Sequence, residues 1–181
     1  MTKPAFVVPI LISERLILEP LSFDHAAGMF SMWRQPAVCR FSGVTNDFEG
    51  RPIRLPAESS ADSDRIIDFF VRHQAEGTGF RWALITRAER RFAGTVGFNS
   101  LGRCSEFAYH LSPDFWGRGL MSEASRVALD WLLDHEGFAE ADAFIDPRNQ
   151  ASVKLATSLG FRFSGLTIEG DARYVLAVSS G

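Results

Sequence analysis

FWGRGLMSEA, residues Phe115 to Ala124, joins a strand-like run to a helix through two closely spaced glycines. Upstream, SEFAYHL (Ser105 to Leu111) alternates, placing Phe107, Tyr109 and Leu111 on one face of an extended strand and Glu106, Ala108 and His110 on the other. Ser112, Pro113 and Asp114 end that strand. Downstream, Leu120, Met121, Ala124, Val127, Ala128, Trp131 and Leu132 recur at helical spacing through Leu133, a broad apolar face that packs on a sheet. Between the two, Gly117 and Gly119 remove side chains where the backbone turns. The unpaired N–H groups of the first helical turn are left open to an anion, and a pyrophosphate fits that description. A tight turn with no ligand is the other reading of the same glycines.

A second stretch, DPRNQASVKLATSLGF (Asp146 to Phe161), has Asn149 as a helix N-cap, Val153, Leu155, Ala156 and Leu159 as apolar positions, and Gly160 as the stop. Read alone it is a well-capped helix. In order and spacing the two stretches together resemble the GNAT superfamily of acyl-CoA-dependent N-acetyltransferases. The family pattern Q/R-x-x-G-x-G/A falls on Trp116 to Met121, with Gly119 as the central glycine; Trp116 and Met121 depart from it. FWGRGLMSEA, together with Asn149, Ser152 and Leu159-Gly160-Phe161, is similar to the RimJ/RimL branch, which includes N-terminal acetyltransferases of ribosomal proteins. The likeness runs from about Glu14 to Phe163 and is strongest from Phe92 onward.

The resemblance implies an α/β fold of the GNAT kind, a mixed, mostly antiparallel central sheet flanked by helices, with a strand-turn-helix pyrophosphate site. It implies acetyl-CoA as cosubstrate, held by Leu111, Trp116, Gly117, Arg118, Gly119, Leu120, Met121, Ser122, Asn149, Ser152 and Lys154. Arg118, Arg126 and Lys154 are the expected positive charges around the phosphates, with solvated helix positions as the alternative for each. The reaction implied is direct attack of a primary amine on the acetyl thioester. Glu106 is the first candidate for the base that takes the amine's proton, since many relatives carry a carboxylate on the matching strand; a strand carboxylate in an ion pair is the alternative. His110 shares its face and is the second. Many relatives place a tyrosine seven positions after the asparagine to protonate the departing thiolate. Here Ala156 stands there, and Ser152 is the nearest substitute, able to hydrogen-bond the sulfur or to cap the helix. The tail EGDARYVLAV departs from the branch's Trp-x-Asp-His-like ending, which weakens a specifically ribosomal acceptor. The expected acceptor is a protein or peptide N-terminal α-amine; a small amine of polyamine or antibiotic-like kind and a non-catalytic CoA-binding module are the alternatives.

With 181 residues, 46% of them apolar, the chain can bury a core and is read as one domain, residues 1–181. A formal charge of -3 argues against a general nucleic-acid surface. Cys39 and Cys104 stand far apart without metal-ligand spacing, so neither a zinc site nor a disulfide framework is suggested and a reducing cytoplasm suits them. FVVPILI (Phe6 to Ile12) contains Pro9 and lacks a basic lead and cleavage site, so it reads as ordered chain rather than an export signal or membrane span. A monomer and a homodimer are equally compatible with these features.

In chain order, Glu14 to Leu21 reads as a strand and a helix follows from Ser22 to about Arg34, ended by Pro36. A helical turn over Val38 to Phe41 precedes a long loop, 43–60, which is either a variable part of the acceptor side or a surface insertion. Asp62 or Ser63 caps a helix ending near Gly77. Arg81 to Arg87 and Phe92 to Leu101 form a hairpin, Ala141 to Asp146 returns beside SEFAYHL, and Tyr174 to Val178 is the clearest strand of the tail.

Overall fold

The alternating runs become strands β1 (Leu11–Ile12), β2 (Leu16–Pro20), β3 (Phe80–Thr86), β4 (Phe92–Ser100), β5 (Cys104–Leu111), β6 (Glu140–Ile145), β7 (Arg162–Leu166) and β8 (Ala172–Ala177). They form one eight-stranded sheet in the order β1-β2-β3-β4-β5-β6-β8-β7. The structure, a computed structural model, describes residues 7–135 and 137–177. Phe6, Val178 and both extremities of the expected 1–181 domain lie outside the described residues. Every neighbouring pair of strands is antiparallel except β5 and β6, which run parallel.

The helices are α1 (Ala26–Trp33), α2 (Pro36–Cys39), α3 (Ser60–Glu76), α4 (Leu120–Leu133) and α5 (Gln150–Ser158). Period-two alternation sends the strand side chains into two separate cores, one per face. Ala83 and Ile85 meet Met29 and Met32 of α1 and Ile66 and Ile67 of α3. Phe80, Trp82, Leu84, Val96 and Phe98 meet Ala124, Ala128 and Leu132 of α4 on the opposite face. Covered on both sides, β3 is buried from Phe80 through Ile85, as its nearly unbroken apolar run requires. Trp82 crosses Trp131 of α4 edge to face at 5.3 Å. Its indole N–H donates to the Pro9 carbonyl at 2.7 Å, fastening the amino-terminal run to the sheet.

Local chemistry moves several expected boundaries. Pro36 opens α2 at its first turn instead of merely breaking the preceding helix, so the expected turn over Val38 to Phe41 lies at Pro36–Cys39. A proline costs nothing there because a first-turn N–H has no helical partner. Ser59, rather than Asp62 or Ser63, caps α3; Asp62 is the third residue of its capping box and accepts from the Ser59 N–H at 3.1 Å. A short 3-10 turn, Phe23–His25, precedes α1. Asp47 pins the long loop: almost wholly buried, it accepts from the Arg51 backbone and from the Arg51 and Arg65 side chains. No helix among the described residues is long and apolar enough to cross a membrane.

The feature that positions the site is where β5 and β6 part. They pair only at Cys104↔Glu140, Ser105↔Ala141 and Glu106↔Asp142. Beyond Glu106, β5 continues alongside β4 while β6 continues against β8, and a cleft opens in the middle of the sheet.

Candidate active site

The cleft has a volume of about 1270 Å³ and is lined from both faces of the sheet. One end is built by the turn after β5. The Ser112 N–H donates to the Ala93 carbonyl, a 3-10 turn over Pro113–Phe115 buries Phe115, and the Trp116 indole N–H donates to the Leu111 carbonyl at 2.8 Å. Gly117 and Gly119 then take φ of +71° and +74°, a left-handed conformation that other residues adopt at a cost. Gly119 is the N-cap of α4 and brings no side chain to it, so the first-turn amides have no side-chain cap. Gly117, Gly119, Leu120, Met121 and Ser122 line the cleft there, as do Leu111 and Trp116 on the approach. A row of uncapped amides at the positive end of a fourteen-residue helix, facing a cavity, fits a pyrophosphate.

Across the cleft, the Asn149 side chain accepts from the Ser152 N–H at 3.3 Å, and Asn149 and Ser152 both line the wall. All three expected charges are elsewhere. Arg118 lies over the Phe115 ring, 5.7 Å from its centroid, and does not line the cleft. Lys154, two residues past Ser152, points off a different side of α5 and is exposed. Arg126 donates to the Ser158 carbonyl and joins α4 to the end of α5. The cation at the turn is one that sequence reasoning missed: Arg15, whose guanidinium is 3.6 Å from where a Gly119 Cβ would stand and which donates to the Arg118 carbonyl. Glu123 holds it, accepting from the Ser13 hydroxyl, the Arg15 backbone N–H and Arg15 Nε. The Glu-Ala pair after the glycines was the available signal.

On the other face of the sheet, Glu106 accepts from Asn99 Nδ2 at 2.6 Å, Asn99 Oδ1 accepts from Arg81 Nη2, and Arg81 Nη1 donates to the Ala108 carbonyl. Arg81 is 3% exposed, with its guanidinium against the Phe70 ring. Burial pushes its pKa down to about 9 while the Glu106 charge works the other way, so Arg81 remains a cation at neutral pH. The same relay fixes which way the Glu106 carboxylate faces. Asn99 and Arg81 were not anticipated, although an arginine inside FRWALIT is a charge where the pattern calls for an apolar residue.

His110 lies on the Glu106 face with its ring 4.4 Å from that of Trp33. Burial, and then the Arg81 charge, draw its pKa down to about 3. That is about four units below neutral pH, too weak a base to take a proton from an amine, and it counts against His110 as the relay. The shift has a stability consequence. A histidine depressed from 6.5 in the folded state favours folding above pH 6.5, and the contribution drains away as pH falls from 6.5 towards 3, because only the unfolded chain binds the proton. Between pH 7 and pH 5 the wild type is expected to lose about 2 kcal/mol more unfolding free energy than His110→Gln in urea titrations. Parallel losses would mean that His110 is solvated.

A sequence profile of the acetyltransferase (GNAT) domain family matches residues 15–162. The N-acetyltransferase YoaA of Bacillus subtilis (strain 168), itself uncharacterized, is 27% identical over 161 residues, covering 87% of this chain and 85% of that protein. Among solved structures, a ribosomal L7/L12 alpha-N-protein acetyltransferase, RimL, in complex with coenzyme A superposes with a TM-score of 0.80 at 15% identity, over 96% of this chain and 100% of that one. A spermidine N-acetyltransferase variant from Vibrio cholerae superposes with a TM-score of 0.71 at 18% identity, over 90% and 93%. The eight-stranded mixed sheet with its flanking helices is the fold that these structures share.

Proposed function

Because the chain belongs to the acetyltransferase (GNAT) domain family and is an acetyl-CoA-dependent N-acetyltransferase, we propose that its acceptor is a singly charged α-amine, carried by a peptide or protein N-terminus, and that Glu106 takes the amine's proton. Bound acetyl-CoA supplies an acyl carbon activated by its thioester. The residues of this chain hold that group against the Gly119 turn, aim the amine and remove one proton.

The observation that carries the proposal is the charge of the acceptor side. Between α1, α3 and the segment after α2, the cleft is lined by Met29, Trp33, Phe41, Phe69 and Phe70, with Glu106 as the carboxylate there and Arg40 and Arg81 as the cations; the other carboxylates of the lining, Asp146 and Asp171, stand past the Ile145↔Ala172 end of the β6–β8 pair, Asp146 against Arg148. A polyamine needs several carboxylates to replace the water around its ammonium groups, whereas one ammonium needs one. The RimL structure is that of an alpha-N-protein acetyltransferase and the Vibrio structure that of a spermidine one; the balance of charge here favours the first kind of substrate. Energetics agree. Freeing an α-amine of pKa near 8 costs roughly 1 kcal/mol at neutral pH, against roughly 4 to 5 for a lysine side chain near 10.4, so one carboxylate suffices for the former.

Coenzyme A release measured across free-amine peptides, the same peptides blocked at the α-amine but carrying lysine, and spermidine tests this. Free α-amine peptides are expected to exceed spermidine in kcat/KM by at least about tenfold. Equal or faster turnover of spermidine would exclude the α-amine assignment.

A further inference from the structure

We propose that Tyr109 is a positioning residue for the departing sulfur: its hydroxyl donates to Ser152, whose own hydroxyl then donates to the coenzyme A thiolate. The proposal builds on the acetyl-CoA-dependent reaction and is independent of which amine is the acceptor.

Tyr109 and Glu106 lie on opposite faces of β5, so Tyr109 looks towards α4 and α5 while Glu106 looks towards the acceptor. Tyr109 and Ser152 both line the cleft beyond the point where β5 leaves β6. The Tyr109 hydroxyl is buried and makes no hydrogen bond with any group among the described residues. An orphaned buried hydroxyl is costly to keep, which marks it as a group kept for a partner. Burial raises the phenol pKa, and Ser152 is near enough to work the other way. Phe107 packs against the Tyr109 ring at 5.7 Å and limits where the phenol can point. Ser152 itself is the third residue of α5, where the helix end favours negative charge. One turn further, Ala156 is buried and has no donor to offer.

A serine hydroxyl has one proton to give and two lone pairs to receive with, so it can accept from Tyr109 and donate to sulfur at once. When the amine nitrogen forms its bond to the acyl carbon, the C–S bond breaks and its electron pair stays on sulfur, in reach of Ser152. The amine's surplus proton leaves by Glu106 to solvent, and sulfur collects a proton from solvent on release. Tyr109 and Ser152 end with the protons they began with. A thiol near 8.5 is a stronger acid than a phenol held above 10, so the two hydroxyls donate hydrogen bonds and do not surrender protons.

Titrating coenzyme A and S-methyl-coenzyme A into the protein calorimetrically at pH 7 and pH 9, with no acceptor present, tests the pair directly. A bound thiol whose pKa falls by one unit makes coenzyme A bind about sixfold tighter, relative to the S-methyl compound, on going from pH 7 to pH 9. The wild type should show that gain, and Tyr109→Phe and Ser152→Ala should each reduce it below about twofold. Tyr109→Phe should also lower kcat about 10- to 30-fold with the KM for acetyl-CoA unchanged, while its melting temperature holds or rises because an orphaned hydroxyl has gone. A retained gain in either variant overturns the proposal. So does equal weakening of both ligands, which is what a packing role predicts. Because no amine enters the titration, a wrong acceptor assignment cannot imitate either result.

Discussion

Gly119→Glu is expected to abolish most of the stabilisation that acetyl-CoA gives. A ligand at one hundred times its Kd adds about 2.7 kcal/mol to a protein that binds it only when folded, and for a chain of this length that is a rise of roughly 5 to 10 °C in Tm. The substitution acts on the site in two ways. Gly119 has φ of +74°, where an L-residue costs about 1 to 2 kcal/mol, so the turn that presents the first amides of α4 is strained. The new carboxylate also stands within reach of Arg15, 3.6 Å from its first carbon, and offsets the cation that Glu123 holds at the turn beside an incoming pyrophosphate. Gly119→Ala separates the two effects, since a methyl group meets nothing closer than Arg15 and adds no charge. Differential scanning with acetyl-CoA should give a shift below about 2 °C for the glutamate variant and an intermediate one for alanine. An undiminished shift in a folded Gly119→Glu protein would move the phosphates away from this turn.

How much of this site the sequence discloses depends on how local its determinants are. The helix after the glycines was expected through Leu133 and ends there, because apolar recurrence and two closely spaced glycines settle it within twenty residues. Asn149 was legible as a cap for the same reason. Arg15 was not, since its place at the turn rests on Glu123, 108 residues away in sequence. The Glu106, Asn99 and Arg81 chain depends on register: Glu106 stands opposite Ser100 across a shift in the β4–β5 ladder, which no period-two pattern reports. His110 shares the Glu106 face as its alternation says, and its loss of basicity comes from burial, with the Trp33 ring against it, and from the Arg81 charge, both on other elements. Arg118 and Lys154 stand within two residues of cleft-lining positions in sequence, yet neither lines the cleft. A helix turns about 100° per residue, so a neighbour in sequence is rarely a neighbour at the site.

Glu106→Gln is expected to lower kcat/KM for an α-amine about 10- to 1,000-fold near neutral pH while acetyl-CoA binding is kept. The amide preserves the shape and can still accept the Asn99 bond, but it cannot take a proton. The substitution also removes the carboxylate whose charge supports the buried Arg81 cation, so some loss of stability accompanies it. Glu106→Asp separates the two consequences. It returns a negative charge near Arg81 and restores stability, yet withdraws the base from the amine by about one methylene, and near-attack geometry is sensitive to a displacement of that size. Raising the pH distinguishes basicity from damage again: near pH 9 most of an α-amine of pKa about 8 is already unprotonated, so the glutamine variant should close much of its gap to wild type. A misassembled site recovers nothing on that titration. Should Glu106→Gln retain full rate at pH 7, the amine must lose its proton to solvent before it enters. The Glu106 chain would then serve to hold one neutral amine opposite the Gly119 turn, and the acceleration would come from placing two reactants together rather than from acid–base chemistry.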